Sequence, residues 1–167
     1  CANYRLTPDK IDRARPIIRD AALVIVQFEI LPETLVSILQ TARGFNVPVL
    51  LNFAPARPFD LSYMDFVSIL VVNEVEAAVL SGESDISREN VESAARKLRS
   101  MGAGTVIVTM GKEGAFILSE DLSTHVDAFE VEAVDTTAAG DVFCGALGVA
   151  HVEGMSLDKA VRFASAA

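Results

Sequence analysis

The sequence predicts an α/β fold of three layers: a doubly wound, mostly parallel sheet that carries an antiparallel ribbon at one edge. Three observations lead there. Apolar, β-branched runs of strand length, "AALVIVQFEI", "VPVLLNF", "FVSILVVN" and "TVIVTM", recur along the chain with helical patterns between them. These runs do not alternate with polar residues, which is the habit of strands buried on both faces, as parallel strands are. After the fourth run the pattern changes to two close strands around a glycine-rich turn, the mark of an antiparallel pair. The 167 residues are 51% hydrophobic with no linker or low-complexity segment, so a single domain over residues 1–167 is expected.

Each element has its own warrant. Thr7 before Pro8 and Asp9 is a helix start, with Thr as N-cap and Pro at the first helical position, and this helix runs towards Ile17 and Ile18. The strand Ala21 to Ile30 follows. Leu35, Ile38 and Leu39 recur at helical spacing, and Gly44 ends that helix before the strand Val47 to Phe53, which completes a β-α-β unit. The strand Phe66 to Asn73 leads into a short helix, Glu74 to Gly82, stopped by its glycine. A second helix starts at Ser87, with Val91, Ala94, Ala95 and Leu98 on one face. The strand Thr105 to Met110, a turn at Gly111 to Gly114, the strand "AFILS" and a more polar strand from Val126 to Val134 come next. A helix beginning near Ala138 or Ala139 and a final helix from Ser156 close the chain. Strands alternating with helices imply a sheet covered on both faces by right-handed crossovers.

Charge and composition narrow the function classes. There are 14 Lys and Arg against 23 Asp and Glu, a net charge of −9, and no basic block interleaved with aromatics, so no nucleic-acid partner is expected. The longest run without a charged residue, Gly44 to Ala56, is interrupted by Asn46, Pro48, Asn52 and Pro55, which is too short and too broken to span a membrane. Cys1 and Cys144 are the two cysteines. They form no CxxC pair, which argues against a disulfide framework or a structural zinc site and fits a reducing, cytoplasmic setting. The chain opens on Cys1 rather than Met and stops inside a helical pattern, which reads as a chain cut at both ends. An incomplete sheet exposes edges and apolar faces, which favours association, with a homodimer one form it can take.

Ligands of such sheets bind at the carboxyl ends of the strands, and unusual residues gather there: Glu29, Asn52, Asn73, Thr109 and Asp135. No GxxxxGK[ST] loop is present. "MGAGTV", Met101 to Val106, follows a helix and precedes a strand, the reverse of a dinucleotide fingerprint, and reads as a helix end and a turn. The remaining candidate for a phosphate cradle is "VDTTAAGDVFCGALGVA", Val134 to Ala150. If a helix starts at Ala138 or Ala139, the amides of Ala138, Ala139, Gly140 and Asp141 point out of its first turn with the positive end of the helix dipole behind them. Small side chains let an anion approach the backbone, and Gly140 permits a dihedral that other residues resist. Asp141 then stands beside the anion as an acceptor for the proton of an attacking hydroxyl. A simpler role for Asp141, complementing the dipole, is worth roughly 0.3–1 kcal/mol and leaves Asp135, Thr136 and the run of tiny residues unexplained.

These residues carry a family resemblance. "DTTAAGDVFCGA", Asp135 to Ala146, is similar to DTxGAGDxFxGG, the second signature of the ribokinase, or PfkB, family of sugar kinases. "NEVE", Asn73 to Glu76, resembles the family's NxxE motif, "TMGKEG", Thr109 to Gly114, its TxGxxG nucleotide loop, and "LLNFAPAR", Leu50 to Arg57, the LNPAPAR stretch of ribokinases. The resemblance covers essentially the whole chain and implies ATP-dependent transfer of the γ-phosphate to a hydroxymethyl group, most simply that of ribose. It implies that Asp141 is the general base and that Ala138 to Asp141 form the anion hole. Asn73 and Glu76 would order Mg²⁺ through its water shell, and Thr109, Gly111 and Gly114 would line the nucleotide. Asp135 and the carbonyl of Thr137 match positions that hold an activating K⁺, and Glu29 matches an acid that contacts the sugar.

The departures are specific. Ala138 stands in place of the usual glycine, a choice ribokinases themselves make, and Phe53 in place of proline. No GGKGxN sugar motif, no amino-terminal sheet or lid and no further adenine pocket are present, so the chain resembles the nucleotide-side portion of a larger kinase and is not expected to turn over ribose alone. A nucleoside or fructose kinase is the nearest alternative within the enzyme class. A noncatalytic fragment that binds a nucleotide or a protein partner is the alternative outside it. His125 and His151 lack metal-ligating partners at useful spacing and read as surface or packing residues, Cys144 as a packing residue, and Lys112 as a solvent-facing turn residue. Glu120, Glu130 and Glu132 read as a solvated edge.

Overall fold

Among the described residues, six strands form one sheet in the order in which they occur along the chain, β1 to β6. The computed structural model describes residues 2–130 and 138–167. The elements are α1 (Pro8–Arg19), β1 (Val24–Gln27), α2 (Pro32–Gly44), β2 (Val49–Asn52), β3 (Ile69–Asn73), α3 (Glu74–Ser81), α4 (Val91–Ser100), β4 (Thr105–Thr109), β5 (Ala115–Leu118), β6 (Ser123–Val126), α5 (Ala139–Val152) and α6 (Leu157–Ala166). Strands β1 to β4 are parallel, and β5 and β6 turn back antiparallel. This is the mixed sheet that the strand patterns predict.

The pleat divides the buried side chains between two cores. Val49 and Leu51 of β2, Leu70 and Val72 of β3, and Val106 and Val108 of β4 pack with α1, α2, α3 and α4 on one face. Leu50, Ile69, Val71, Ile107 and Ile117 pack with Phe143, Cys144, Leu147 and Ala150 of α5 and with Ala160, Val161 and Ala164 of α6 on the other. A sequential strand order with every crossover helix on one face follows from a constant crossover hand. The second face is closed by the two helices that follow the ribbon. Helix α5 approaches β1 closely: a Cβ on Gly148 would lie 2.6 Å from Ile25 Cδ1 and 3.2 Å from Leu23 Cδ2.

Several boundaries differ from expectation, each for a local reason. The first strand is Val24–Gln27 rather than Ala21 to Ile30, because its ladder lasts only as long as β2. The Val24 amide bonds to the Pro48 carbonyl at 3.0 Å and the Phe28 amide to the Ala54 carbonyl at 3.0 Å, after which Glu29 turns towards α2. The polar strand of the ribbon, expected from Val126 to Val134, is Ser123–Val126 among the described residues, and residues 131–134 lie outside them. The turn closes early, the Ser119 amide donating to the Leu122 carbonyl at 2.8 Å, and that sets Leu118 opposite Ser123. Helix α4 begins at Val91 because Asn90 competes for the chain before it: the Ser87 amide donates to Asn90 Oδ1 at 2.8 Å, the side-chain turn that makes Asn a poor interior helix residue. Gly44 is the last residue of α2, and the left-handed residue beyond it is Asn46, with φ +56°. Gly82 ends α3 as predicted, with φ +74°.

Candidate functional site

Parallel pairing lines up the motif residues along one rim of the sheet. Asn73 ends β3 and Thr109 ends β4, and the two are register partners. The NxxE and TxGxxG motifs therefore start side by side. Asn52 ends β2, largely buried, and Glu29 follows β1 in the turn that leads to α2.

Asn73 is extended, with ψ 179°, and the chain enters α3 at the next residue. Asn73 Oδ1 accepts from the Glu76 amide at 2.9 Å, and Glu76 Oε2 accepts from the Asn73 amide at 2.9 Å. This reciprocal capping box satisfies two orphan donors of the helix start. Glu76 is only 6% exposed. Burial pushes its carboxyl above the usual carboxylate range, against the opposing hydrogen bond from Asn73.

Thr109 Oγ1 donates to the Val72 carbonyl at 3.3 Å. The Met110 amide bonds to the Gly114 carbonyl at 2.7 Å, which closes the loop over a short 3-10 turn, Gly111–Glu113. Gly111 has φ +50° and faces Glu74, whose Oε1 would lie 3.9 Å from an added Cβ. Gly114 has φ +88°, and a Cβ there would lie 2.0 Å from the Val126 carbonyl oxygen. Gly114 is a glycine because β6 crosses directly against it.

Helix α5 points its first turn at the same rim. Gly148 lies over Leu23 and Ile25 at the start of β1, whereas Cys144, one turn earlier, is influenced by Glu76 at the far end of β3 and by Asp141. Among the described residues, the first intrahelical bond runs from the Val142 amide to the Ala138 carbonyl at 2.9 Å. The amides of Ala139, Gly140 and Asp141 precede it and face out of the helix end, and residues 138–142 are exposed. The predicted source of the special dihedral is corrected: Gly140 is helical, and the left-handed residue is Ala138, the N-cap, with φ +62° and ψ 8°. Among the described residues, nothing lies within 4 Å of a Cβ built on Gly140, so its small size relieves no contact there. Asp135 and Thr137, the two residues implied for K⁺, lie outside the described residues.

The remaining predicted roles follow the geometry. Cys144 is buried, and burial first, then Asp141 and Glu76, push its thiol up to about 12, so it packs rather than reacts. His125 stacks edge-on against Phe116 with centroids 4.8 Å apart, and His151 is exposed at the end of α5. Among the described residues, no group of three or more His, Cys, Asp or Glu side chains converges as a metal cage, and no helix is long and apolar enough to cross a membrane. Sequence reasoning missed Asn3, whose Nδ2 lies 3.2 Å from Glu29 Oε2. It also missed Tyr4, whose hydroxyl lies 3.4 Å from Arg57 Nη2. No motif marks either residue.

A helix start, an acid in its first turn and a capped strand end thus share one rim of an α/β sheet, an arrangement with backbone donors suited to an anion. The comparisons give the family. Residues 4–167 match the model of the pfkB family carbohydrate kinases. The chain is 37% identical to a deoxyribokinase of Salmonella typhi, over 98% of this chain and 55% of that protein. It is 42% identical to a ribokinase of Schizosaccharomyces pombe, over 86% of this chain and 46% of that protein. Among solved structures, a ribokinase from Thermotoga maritima superposes with a TM-score of 0.87 at 36% identity, covering 99% of this chain and 54% of that one. Arabidopsis thaliana ribokinase, complexed with ribose and ATP, superposes with a TM-score of 0.87 at 31% identity, covering 93% and 51%. The chain belongs to the pfkB family of carbohydrate kinases, and it spans about half the length of the curated relatives it matches.

Proposed function

We propose that this chain forms the nucleotide-side portion of a sugar kinase that transfers the γ-phosphate of ATP to a hydroxymethyl group, with ribose as the acceptor. The observation that carries the reading is the first turn of α5, where the amides of Ala139, Gly140 and Asp141 and the carboxylate of Asp141 share one exposed helix end at the rim of the sheet. Phosphoryl transfer demands positioning and charge stabilisation more than covalent chemistry from the protein, and a helix start supplies both.

In this reading Asp141 takes the proton of the acceptor hydroxyl as its oxygen bonds to the γ-phosphorus and the bond to ADP breaks. The amides from Ala138 to Asp141 hold the equatorial oxygens. Thr109, Gly111 and Gly114 line the nucleotide, and Glu29 accepts from a sugar hydroxyl. Glu76 fits a role towards hydrated Mg²⁺, because a single buried carboxylate with one oxygen already occupied by the Asn73 amide suits an ion that keeps most of its waters. A Mg²⁺ ion bound there supplies positive charge against the phosphate oxygens. Asp135 and the Thr137 carbonyl are the groups proposed for K⁺. A cytoplasmic location rests on the absence of a disulfide framework from the two cysteines.

The relatives named ribokinase and deoxyribokinase support a pentose acceptor. ADP release by the full-length protein with ribose, deoxyribose, fructose and a nucleoside tests the choice. Turnover of either pentose at least tenfold above the others supports it, and turnover of the nucleoside alone rejects it. Asp141→Asn is expected to lower turnover by roughly 10²–10⁴-fold while nucleotide binding by calorimetry persists. Equal turnover by this variant rejects the base assignment.

A further inference from the structure

Residues 2–6 cross the rim beside Glu29, and their path is fixed from below. Ala2–Arg5 forms a 3-10 turn, closed by the Leu6 amide on the Asn3 carbonyl at 3.1 Å. Thr34, fully buried in the first turn of α2, donates through Oγ1 to the Leu6 carbonyl at 2.7 Å. Lys10 Nζ reaches the Arg5 carbonyl at 2.6 Å from α1. The turn is thus tied to two helices, and the ties leave Asn3 Nδ2 3.2 Å from Glu29 Oε2 and the Tyr4 hydroxyl 3.4 Å from Arg57 Nη2.

Glu29 needs such a partner. It lies in the turn between β1 and α2 with an exposed side chain, and a free glutamate loses rotamer entropy whenever a ligand fixes it. A donor that holds the carboxylate beforehand removes part of that cost from the binding step. Asparagine suits the task, since one amide N–H occupies one lone pair of Oε2 and leaves Oε1 free to accept from a hydroxyl.

We propose that Asn3 is a positioning residue for Glu29, holding its carboxylate in the orientation that receives the acceptor sugar. The inference rests on the reading of Glu29 as a sugar contact. In the full-length protein, Asn3→Ala raises the acceptor KM about fivefold, the size of one exposed charge-assisted hydrogen bond converted to affinity. The ATP KM and kcat stay within about twofold, because the turn is anchored through Thr34 and Lys10 rather than through Asn3. Asn3→Asp sets a second carboxylate against Glu29 and raises the acceptor KM by about tenfold or more. The same change made on top of Glu29→Gln costs less than about twofold, since the repulsion is gone and the glutamine amide donates instead.

A role of Asn3 in folding alone would move the ATP KM as well and would not depend on Glu29. Acceptor KM values unchanged in Asn3→Ala and Asn3→Asp, or an equal loss on both Glu29 backgrounds, overturn the inference while leaving the kinase reading intact. A parent protein that phosphorylates no pentose overturns both.

Discussion

Asn73 and Glu76 cap each other, each side chain accepting the other's backbone N–H at 2.9 Å. The NxxE spacing is therefore a helix-start device before it is anything else. It freezes a carboxylate, nearly sealed from water, at the end of the central strand β3.

That burial has a pH consequence. The Glu76 carboxyl is raised above its usual value of about 4.5 by burial. A folded-state pKa above the unfolded one means that the fold holds the proton more tightly, so this group's contribution is fully present below the unfolded value and is lost as pH rises through the folded one. Glu76→Gln keeps an acceptor for the Asn73 amide and cannot ionise. In urea unfolding of the full-length protein between about pH 4 and pH 8, the stability of Glu76→Gln relative to the parent is expected to increase with pH. A difference that is constant with pH contradicts the assignment.

Gly140 and its surroundings allow stability to be separated from function. A Cβ at this position meets nothing within 4 Å among the described residues, and alanine is the better helix former by up to about 1 kcal/mol. Gly140→Ala is expected to leave the melting temperature unchanged or raised while, on the proposed anion hole, lowering phosphoryl transfer by about tenfold or more, because the methyl group stands before the amides proposed to receive the phosphate. Wild-type transfer by this variant removes Gly140 from the anion hole.

Ala138 is an alanine in the left-handed region, with φ +62°. That conformation costs an L-residue roughly 1–2 kcal/mol, part of which glycine gives back through its freedom in the unfolded chain. Ala138→Gly is expected to stabilise the protein by about 0.5–1 kcal/mol in urea unfolding. A destabilised variant means that the N-cap does not bear this strain.

Gly114 gives the opposite result. The position combines φ +88° with an added Cβ 2.0 Å from the Val126 carbonyl, and both obstacles are backbone. Gly114→Ala is expected to cost roughly 3 kcal/mol or more, read as a lower urea midpoint. A loss under about 1 kcal/mol means that β6 yields easily at this point.

The sequence carries the sheet well because burial on both faces leaves an unmistakable run of apolar β-branched residues, as in Val49 to Leu51 and Ile69 to Val72. It carries strand ends poorly, because pairing length depends on the partner: β1 stops where β2 stops, and nothing in "AALVIVQFEI" records that. Side-chain competition is similarly hidden, as where Asn90 delays α4. In the site, the loop glycines Gly111 and Gly114 and the Asn73–Glu76 pair are readable because each constraint is local. The special dihedral expected to be open to Gly140 is taken by Ala138, since a methyl group does not announce the strain it bears. Asn3 was invisible for another reason: 26 residues separate it from Glu29, and a contact across that span has no period or spacing.

Strand β1 serves two masters through Gly148. Its outgoing end delivers Glu29, and its incoming end, through Leu23 and Ile25, is the seat against which α5 rests, close enough that a Cβ on Gly148 would lie 2.6 Å from Ile25 Cδ1. The proposed acceptor side and the proposed phosphate side are thus gauged from a single four-residue strand. A methyl added at position 148 would press on the ends of Ile25 and Leu23, and whether those ends turn aside or the helix lifts decides how firmly the two sides stay in gauge.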